Sequence, residues 1–199
     1  MTDPLLDLLD YRRRVKEMYD AVRSLRERDP RAAHRLWRER RDELFRSHPQ
    51  SALPPEKREA FSGLPYHEYD PAFVFTAPVR SVTHESYDVD TSTGGVIKFV
   101  RFGVIDLPIG ALEVLWLDEY SGGVFLPFRD ATSGTTTYGG GRYLLDTAKG
   151  ADLGSRGDAL VLDFNFAYHP SCVYDPKWVC PLAPLANRLA VAVAAGERI

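Results

Sequence analysis

The segment Phe128–Leu145, FRDATSGTTTYGGGRYLL, decides how this chain is read. Apolar Val124-Phe125-Leu126 precedes it and Tyr143-Leu144-Leu145 closes it, two strand-like runs joined by a polar, glycine-rich connection. That is the pattern of a wide β-hairpin. A hairpin closes with two residues, or with three to five that include a glycine, so the extra length asks for a second role. Long polar loops on well-formed strands are binding loops more often than spacers. The loop and its edges carry Arg129, Asp130, Thr132, Ser133, Thr137, Tyr138 and Arg142, with bare backbone at Gly139, Gly140 and Gly141. Guanidinium forks, hydroxyls and free N–H groups together suit an anion, a phosphate or a carboxylate. The pattern is neither a Walker loop nor a dinucleotide fingerprint, because no helix follows the glycines. A structural alternative stands beside it: the glycines permit positive φ at a turn or bulge, and the arginines pair with Asp130, Asp146 or Asp163.

Downstream, Ala159–Phe166 alternates as a strand, with Leu160, Leu162, Phe164 and Phe166 on one face and Val161, Asp163 and Asn165 on the other. If that second face is interior, Asp163 and Asn165 need partners, and Arg129 or Arg142 is the expected one. Otherwise they form a wet outer row. Tyr168 and His169 follow directly. Asp163, Tyr168 and His169 form the candidate catalytic set: imidazole titrates near neutrality, a carboxylate orients it, and a phenol handles protons. No serine or cysteine sits in a nucleophile elbow.

Cys172 and Cys180 invite three readings. With His169 they suggest zinc, but seven residues separate the cysteines and no fourth ligand is evident, so no metal is expected. A disulfide is the second reading, and reduced thiols packed under Pro181-Leu182-Ala183-Pro184 are the third and preferred one. His34, His48, His67 and His84 are scattered, with surface or capping roles expected.

Upstream of the hairpin, Phe73–Val79, Val96–Phe102 and Leu112–Leu117 read as strands, and a last one is expected at Leu189–Ala194. No helical pattern separates strands after residue 70, so the sheet is antiparallel. The fold class is α+β, mainly antiparallel β, a small barrel or sandwich of about eight strands. Pro78, Pro108 and Pro127 belong at ends, edges or bulges.

The N-terminal part is helical. Asp3-Pro4 and Asp29-Pro30 are cap-and-first-residue signals. Leu5, Leu8, Leu9, Val15, Met18, Tyr19, Val22 and Leu25 give the first helix an apolar face, and Ala33, Leu36, Trp37, Arg40, Leu44 and Phe45 give the second its own. Residues 1–60 are expected to form a helical hairpin laid on a β domain of residues 61–199 that carries the site. The helices' apolar faces also offer a homodimer contact.

Charge is uneven: residues 1–60 hold fifteen Lys/Arg against twelve Asp/Glu, and residues 61–199 hold ten against sixteen. Mixed signs on helix faces argue against a nucleic-acid partner. No apolar run reaches membrane-spanning length and the first residues are acidic, so no membrane segment or signal peptide is expected and the cytoplasm is the expected location.

The blocks FRDATSGTTTYGGGRYL, DFNFAYHPSCVY, CPLAPLANRL and the closing AAGE, with EKREAFSGLPYHEYDP upstream, resemble an uncharacterised bacterial and archaeal family, domain of unknown function sixteen eighty-four. The resemblance implies no established activity. Family members often carry Asn where this chain has His169, which argues against histidine or zinc chemistry there. The expected function is the binding of a small acidic ligand in a β-domain pocket, with catalysis and cofactor left open. The alternatives are a scaffold whose polar clusters stabilise the fold, and a flavin-binding protein resembling the split-barrel type, an analogy of strand count.

Overall fold

The computed structural model describes residues 3–199. Helix α1 spans Pro4–Arg26 and α2 spans Pro30–Ser47; the Asp3 and Asp29 carboxylates accept the N–H groups of Leu5 and Ala32, as N-caps do. Val15, Met18, Tyr19 and Val22 of α1 and Ala33, His34, Trp37, Arg41, Leu44 and Phe45 of α2 are buried. Two sequence expectations fail here. The inward arginine is Arg41, four residues after Trp37, whereas the Arg40 side chain is 60% exposed. Leu5 and Leu9 stand in solvent. A single helical turn, α3, follows at Pro55–Arg58.

Among the described residues, eight antiparallel strands form two sheets, a sandwich-like arrangement without barrel closure. β1 (Val74–Pro78), β8 (Ala159–Asp163) and β7 (Ser155–Arg156) make one in the order β1-β8-β7. β2 (Arg80–Asp90), β3 (Val96–Leu107), β4 (Gly110–Leu117), β5 (Val124–Phe128) and β6 (Arg142–Asp146) make the other in sequence order. The β5–β6 hairpin pairs as expected, with a register shift at Leu126/Pro127 where proline lacks a ladder donor.

One long strand was missed and two strand expectations are corrected. β2 has no apolar alternation because it is an edge strand, exposed over most of its length, and periodicity cannot reveal it. The strand from Ala159 stops at Asp163, whose side chain caps a 3-10 turn at Phe164–Phe166. Leu189–Ala194 pairs in no strand; it is an extended strap whose backbone bonds to the loop, with Leu189 N–H on Arg129 O and Ala131 N–H on Val191 O.

Burial is organised in layers. Between the sheets lie Ala77, Ile105, Leu112, Val114, Leu126, Phe128, Leu144, Leu162 and Phe164. The helical hairpin packs Val15, Met18, Val22, Trp37 and Leu44 against Ala151, Leu153, Val161 and Phe166. Trp37 is completely buried, and truncating such a ring costs on the order of 3–5 kcal/mol.

Candidate functional site

The loop 129–141 is filled by its own polar groups. Arg142, 1% exposed, directs Nη2 to Asp130 Oδ2 at 2.6 Å and Val193 O at 2.9 Å, and Nη1 to Glu197 O at 3.1 Å and to Ala195 O. Burial pushes its guanidinium pKa down, with Asp130 opposing. The other Asp130 oxygen accepts the Thr132 N–H at 2.6 Å and the Thr132 hydroxyl, which also meets Thr137 Oγ1 at 2.9 Å. Ser133 Oγ accepts the Asp130 N–H at 3.1 Å. Arg142, Asp130, Thr132, Ser133 and Thr137 therefore converge, and what they hold is the C-terminal strap. Arg129 is half-buried, with an Nε that has no hydrogen-bond partner among the described residues. Gly141, at φ +97°, makes the close turn back: a Cβ there would lie 2.6 Å from Phe128 O.

Asp163 and Asn165 form a separate cluster. Asp163 Oδ1 accepts from Asn165 N at 3.1 Å and Nδ2 at 2.8 Å, while Oδ2 meets Arg26 Nε at 3.5 Å and the Tyr69 hydroxyl at 3.4 Å. The expected pairing with Arg129 or Arg142 is thus overturned, because Arg26 of α1 reaches the acid first. Burial raises the Asp163 pKa. Asn165 also clamps both backbone groups of Asp70, at 2.8 and 2.9 Å.

Tyr168 and His169 lie elsewhere again, on the wall of a cavity of about 220 Å³ beneath the helical hairpin. Its walls come from α1 (Leu8, Tyr11, Val15, Met18, Tyr19), α2 (Arg41, Leu44, Phe45), β6 and the turn after it, and the 168–171 and 178–180 segments. At its inner end sits Arg41, 8% exposed, with Nε on the Tyr66 hydroxyl at 3.1 Å and Nη2 on Glu197 Oε2 at 2.7 Å. The guanidinium lies 4.9 Å from the ring centres of both Trp37 and Tyr168. Nη1 has no hydrogen-bond partner among the described residues.

Glu197 is fully buried and also accepts the His169 N–H at 3.0 Å and the Tyr174 hydroxyl. Burial pushes its carboxyl up, but Arg41 and His169 outweigh this and hold it below the usual carboxylate value. Burial lowers the Arg41 pKa less than Tyr66 and Glu197 raise it, so the guanidinium stays charged. Burial pushes the Tyr19 phenol up to about 12 and Tyr168 well above its ordinary value, which leaves neutral hydroxyls at the cavity. At the rim, Lys149 is 59% exposed and 3.2 Å from Asp146, and Arg12 is exposed.

His169 Nε2 accepts the Tyr138 N–H at 3.2 Å, and Nδ1 lies 3.7 Å from Glu197 Oε1 without a hydrogen bond. The carboxylate beside the imidazole is Glu197; Asp163 engages Arg26, Tyr69 and Asn165 instead. Cys172 and Cys180 are free thiols. Among the described residues, no group of three or more His, Cys, Asp or Glu is placed to hold a metal ion.

Sequence reasoning missed Arg41, Glu197, Lys149, Tyr11 and Tyr19. Arg41 left a signal in its spacing, since it follows Trp37 and precedes Phe45 at four-residue intervals and so sets a charge within an apolar stripe; Glu197 ends the AAGE block, and Tyr19 showed only as part of an apolar helix face.

A helical hairpin laid over a two-sheet antiparallel body, with an apolar cavity between them, defines an α+β class of protein. The chain belongs to the family described as protein of unknown function, DUF1684, whose model matches residues 59–198. It is similar to an uncharacterised protein of Haloarcula marismortui solved by solution NMR, at 37% identity and a TM-score of 0.56, over 81% of this chain and 90% of that one. No curated protein matches the chain. No helix among the described residues is long and apolar enough to cross a membrane.

Proposed function

We propose that this protein binds a small amphipathic acid, an aliphatic or aromatic body ending in a carboxylate, in the cavity beneath the helical hairpin. The observation that carries the reading is the partly engaged Arg41: a guanidinium in a largely apolar cavity whose Nη2 pairs with Glu197 and whose Nε bonds Tyr66, while Nη1 donates to no partner among the described residues. An apolar pocket with a few convergent polar groups is the usual form of a small-molecule site. A single carboxylate adds one negative charge at the free Nη1 donor, whereas a dianionic phosphate adds two beside Glu197 and leaves more negative charge desolvated. The apolar body packs on Leu8, Val15, Met18 and Leu44, and Tyr168 and His169 close the β-side wall. The reading supported here is binding: Glu197 is occupied by Arg41 and the imidazole accepts a backbone N–H, so neither is a free base.

The loop 129–141 has the opposite character. With Asp130 and Arg142 spent on one another and on the strap, its polar cluster serves as scaffold for the C-terminal segment that delivers Glu197 to Arg41.

The test is a thermal-shift screen of small carboxylic acids, each paired with its amide and alcohol, followed by calorimetry. An acid at a hundred times its dissociation constant adds roughly 2.7 kcal/mol to stability. Met18→Trp, which fills the cavity from α1, abolishes the shift, and Leu8→Trp at the other end of the α1 wall is the companion if the first variant misfolds. If acids and neutral analogues behave alike, or Met18→Trp merely stabilises the protein, the cavity is a packing defect and the reading fails.

A further inference from the structure

The β body partners nearly all of its cations. Residues 61–199 hold ten Lys/Arg, and seven of these lie within ion-pair distance of an acid. An eighth, Arg198, donates its Nε to the Tyr66 carbonyl. The other two are Arg129 and Arg188. Neither guanidinium has an acid or a hydrogen bond among the described residues, and the two are neighbours.

The backbone sets them side by side. Arg129 N–H donates to Asn187 O and Leu189 N–H donates to Arg129 O, both at 2.8 Å, so Arg129 and Arg188 oppose one another in a parallel bridge. Such partners send their side chains to the same side, from chains about 4.8 Å apart. The strap cannot slide away, because the fully buried Asn187 donates Nδ2 to Glu113 O at 2.9 Å and Pro127 O at 2.8 Å and accepts the Glu113 N–H at 2.8 Å. On the other side the Arg129 stem lies against Gly141, where a Cβ would come within 3.3 Å of its Cγ. Its Nε is buried without a partner, while Arg188 is exposed. The adjacent acid, Asp130, is taken by Arg142 and Thr132. Two like charges are thus held opposite each other, an arrangement that costs stability unless an anion bridges them.

We propose that Arg129 and Arg188 form a second site, for a dianionic tetrahedral oxyanion: phosphate, or the phosphoryl group of a monoester. Two guanidinium forks offer paired N–H donors to the oxygens of such a group, and their two positive charges match its two negative ones. Beside an exposed arginine the dianion keeps part of its hydration, so the desolvation that disfavours it at Arg41 is reduced here. The site takes a different charge class from the cavity and stands whether or not the cavity binds an acid.

Amide NMR spectra of the isotope-labelled protein, titrated with inorganic phosphate at fixed ionic strength, test this. Saturable shifts are expected at Arg129, Arg188 and Leu189, with none from chloride. Arg129→Gln and Arg188→Gln each weaken binding about tenfold, and Arg188→Lys, which keeps the charge without the fork, falls between. Met18→Trp leaves phosphate binding unchanged. Because the unbridged pair repels, Arg188→Gln also raises the melting temperature in phosphate-free buffer, and phosphate then stabilises the wild type more than the variant. Glycerol 3-phosphate separates the sources: it shifts the same amides if the site takes a phosphoryl group on a larger molecule and fails to do so if only the free ion enters, and the dianion site stands in both cases. Shifts that never saturate, shifts centred on Met18 and Tyr168, or an Arg188→Gln variant that binds phosphate as the wild type does, overturn the proposal.

Discussion

The loop 129–141 and the cavity beneath the helices are opposite solutions to placing polar groups inside a protein. In the loop, Arg142 spends its two terminal nitrogens on four acceptors and Asp130 accepts from three donor groups, so this pair is spent within the protein. In the cavity, a few polar groups sit among apolar walls, and Arg41 keeps one nitrogen in reserve. Density of polar residues in the sequence therefore marks where the chain must be held. Recognition needs sparseness, because each buried polar group that is satisfied internally is withdrawn from binding. The two regions are also joined, since Arg142 holds the carbonyls of Val193, Ala195 and Glu197, and the Glu197 side chain then meets Arg41.

The largest effect is expected at the satisfied end. Arg142→Ala strands Asp130 and three strap carbonyls in the interior, and breaking a buried pair from one side typically costs on the order of 3–5 kcal/mol. Urea unfolding reads it directly. The double variant Arg142→Met with Asp130→Leu regains part of the loss, because removing both charges leaves no unpaired ion. If Arg142→Ala were nearly neutral in stability, the loop would not be scaffold, and the contrast with the cavity would collapse.

A middle-sized effect comes from the helical side. His34 is 2% exposed, ringed by Trp37, Tyr66, Tyr69 and Phe166, and its Nε2 has no partner. Burial first, and then Arg38, bring its pKa down to about 4. The fold thus prefers the neutral ring, while the unfolded chain protonates near pH 6.5. That contribution is intact above pH 6.5 and is lost as pH falls from there toward 4. The loss amounts to on the order of 2–3 kcal/mol by linkage. His34→Leu removes this slope, and the difference between the two proteins' stability–pH curves isolates it from Asp163, whose raised pKa works in the opposite sense. Parallel curves for the two proteins would mean that His34 does not hold its neutral form in the fold.

These residues also show what the sequence could reveal. The N-caps at Asp3 and Asp29 and the β5–β6 hairpin were legible because each is a local rule of chain geometry. β2 was hidden because an edge strand with two wet faces has no apolar period, and Leu189–Ala194 misled because a strap under a loop is as apolar as a strand. The loop cluster was visible as a group, but its occupancy was not: the acceptors for Arg142 lie more than fifty residues away in carbonyls that any residue carries. The cavity was harder still. Met18, Arg41 and Tyr168 come from segments with no sequence relation, and their meeting depends on how the hairpin settles on the body. Arg41 betrayed itself by its spacing, and the choice between it and Arg40 turned on one residue of helical phase.

The smallest effect sharpens the comparison most. Lys149 stands at the cavity rim, mostly exposed and 3.2 Å from the buried Asp146, so Lys149→Ala changes stability by about 1 kcal/mol. On the proposed binding, an incoming carboxylate meets that charge and the exposed Arg12 on its way to the buried Arg41. Steering by exposed cations acts on the association rate and is screened by salt, whose Debye length shrinks from about 10 Å at 0.1 M to about 3 Å at 1 M. Lys149→Ala is therefore expected to slow association of an acid a few-fold at low salt, leave the dissociation rate nearly unchanged, and converge on the wild type at high salt. Stopped-flow titration across ionic strength measures this. Arg129→Ala, an equal loss of charge on the loop, is the matched control: it leaves both rates alone if the cavity is the site. A slowing equal to that of Lys149→Ala would instead return recognition to the loop and its unpartnered Nε.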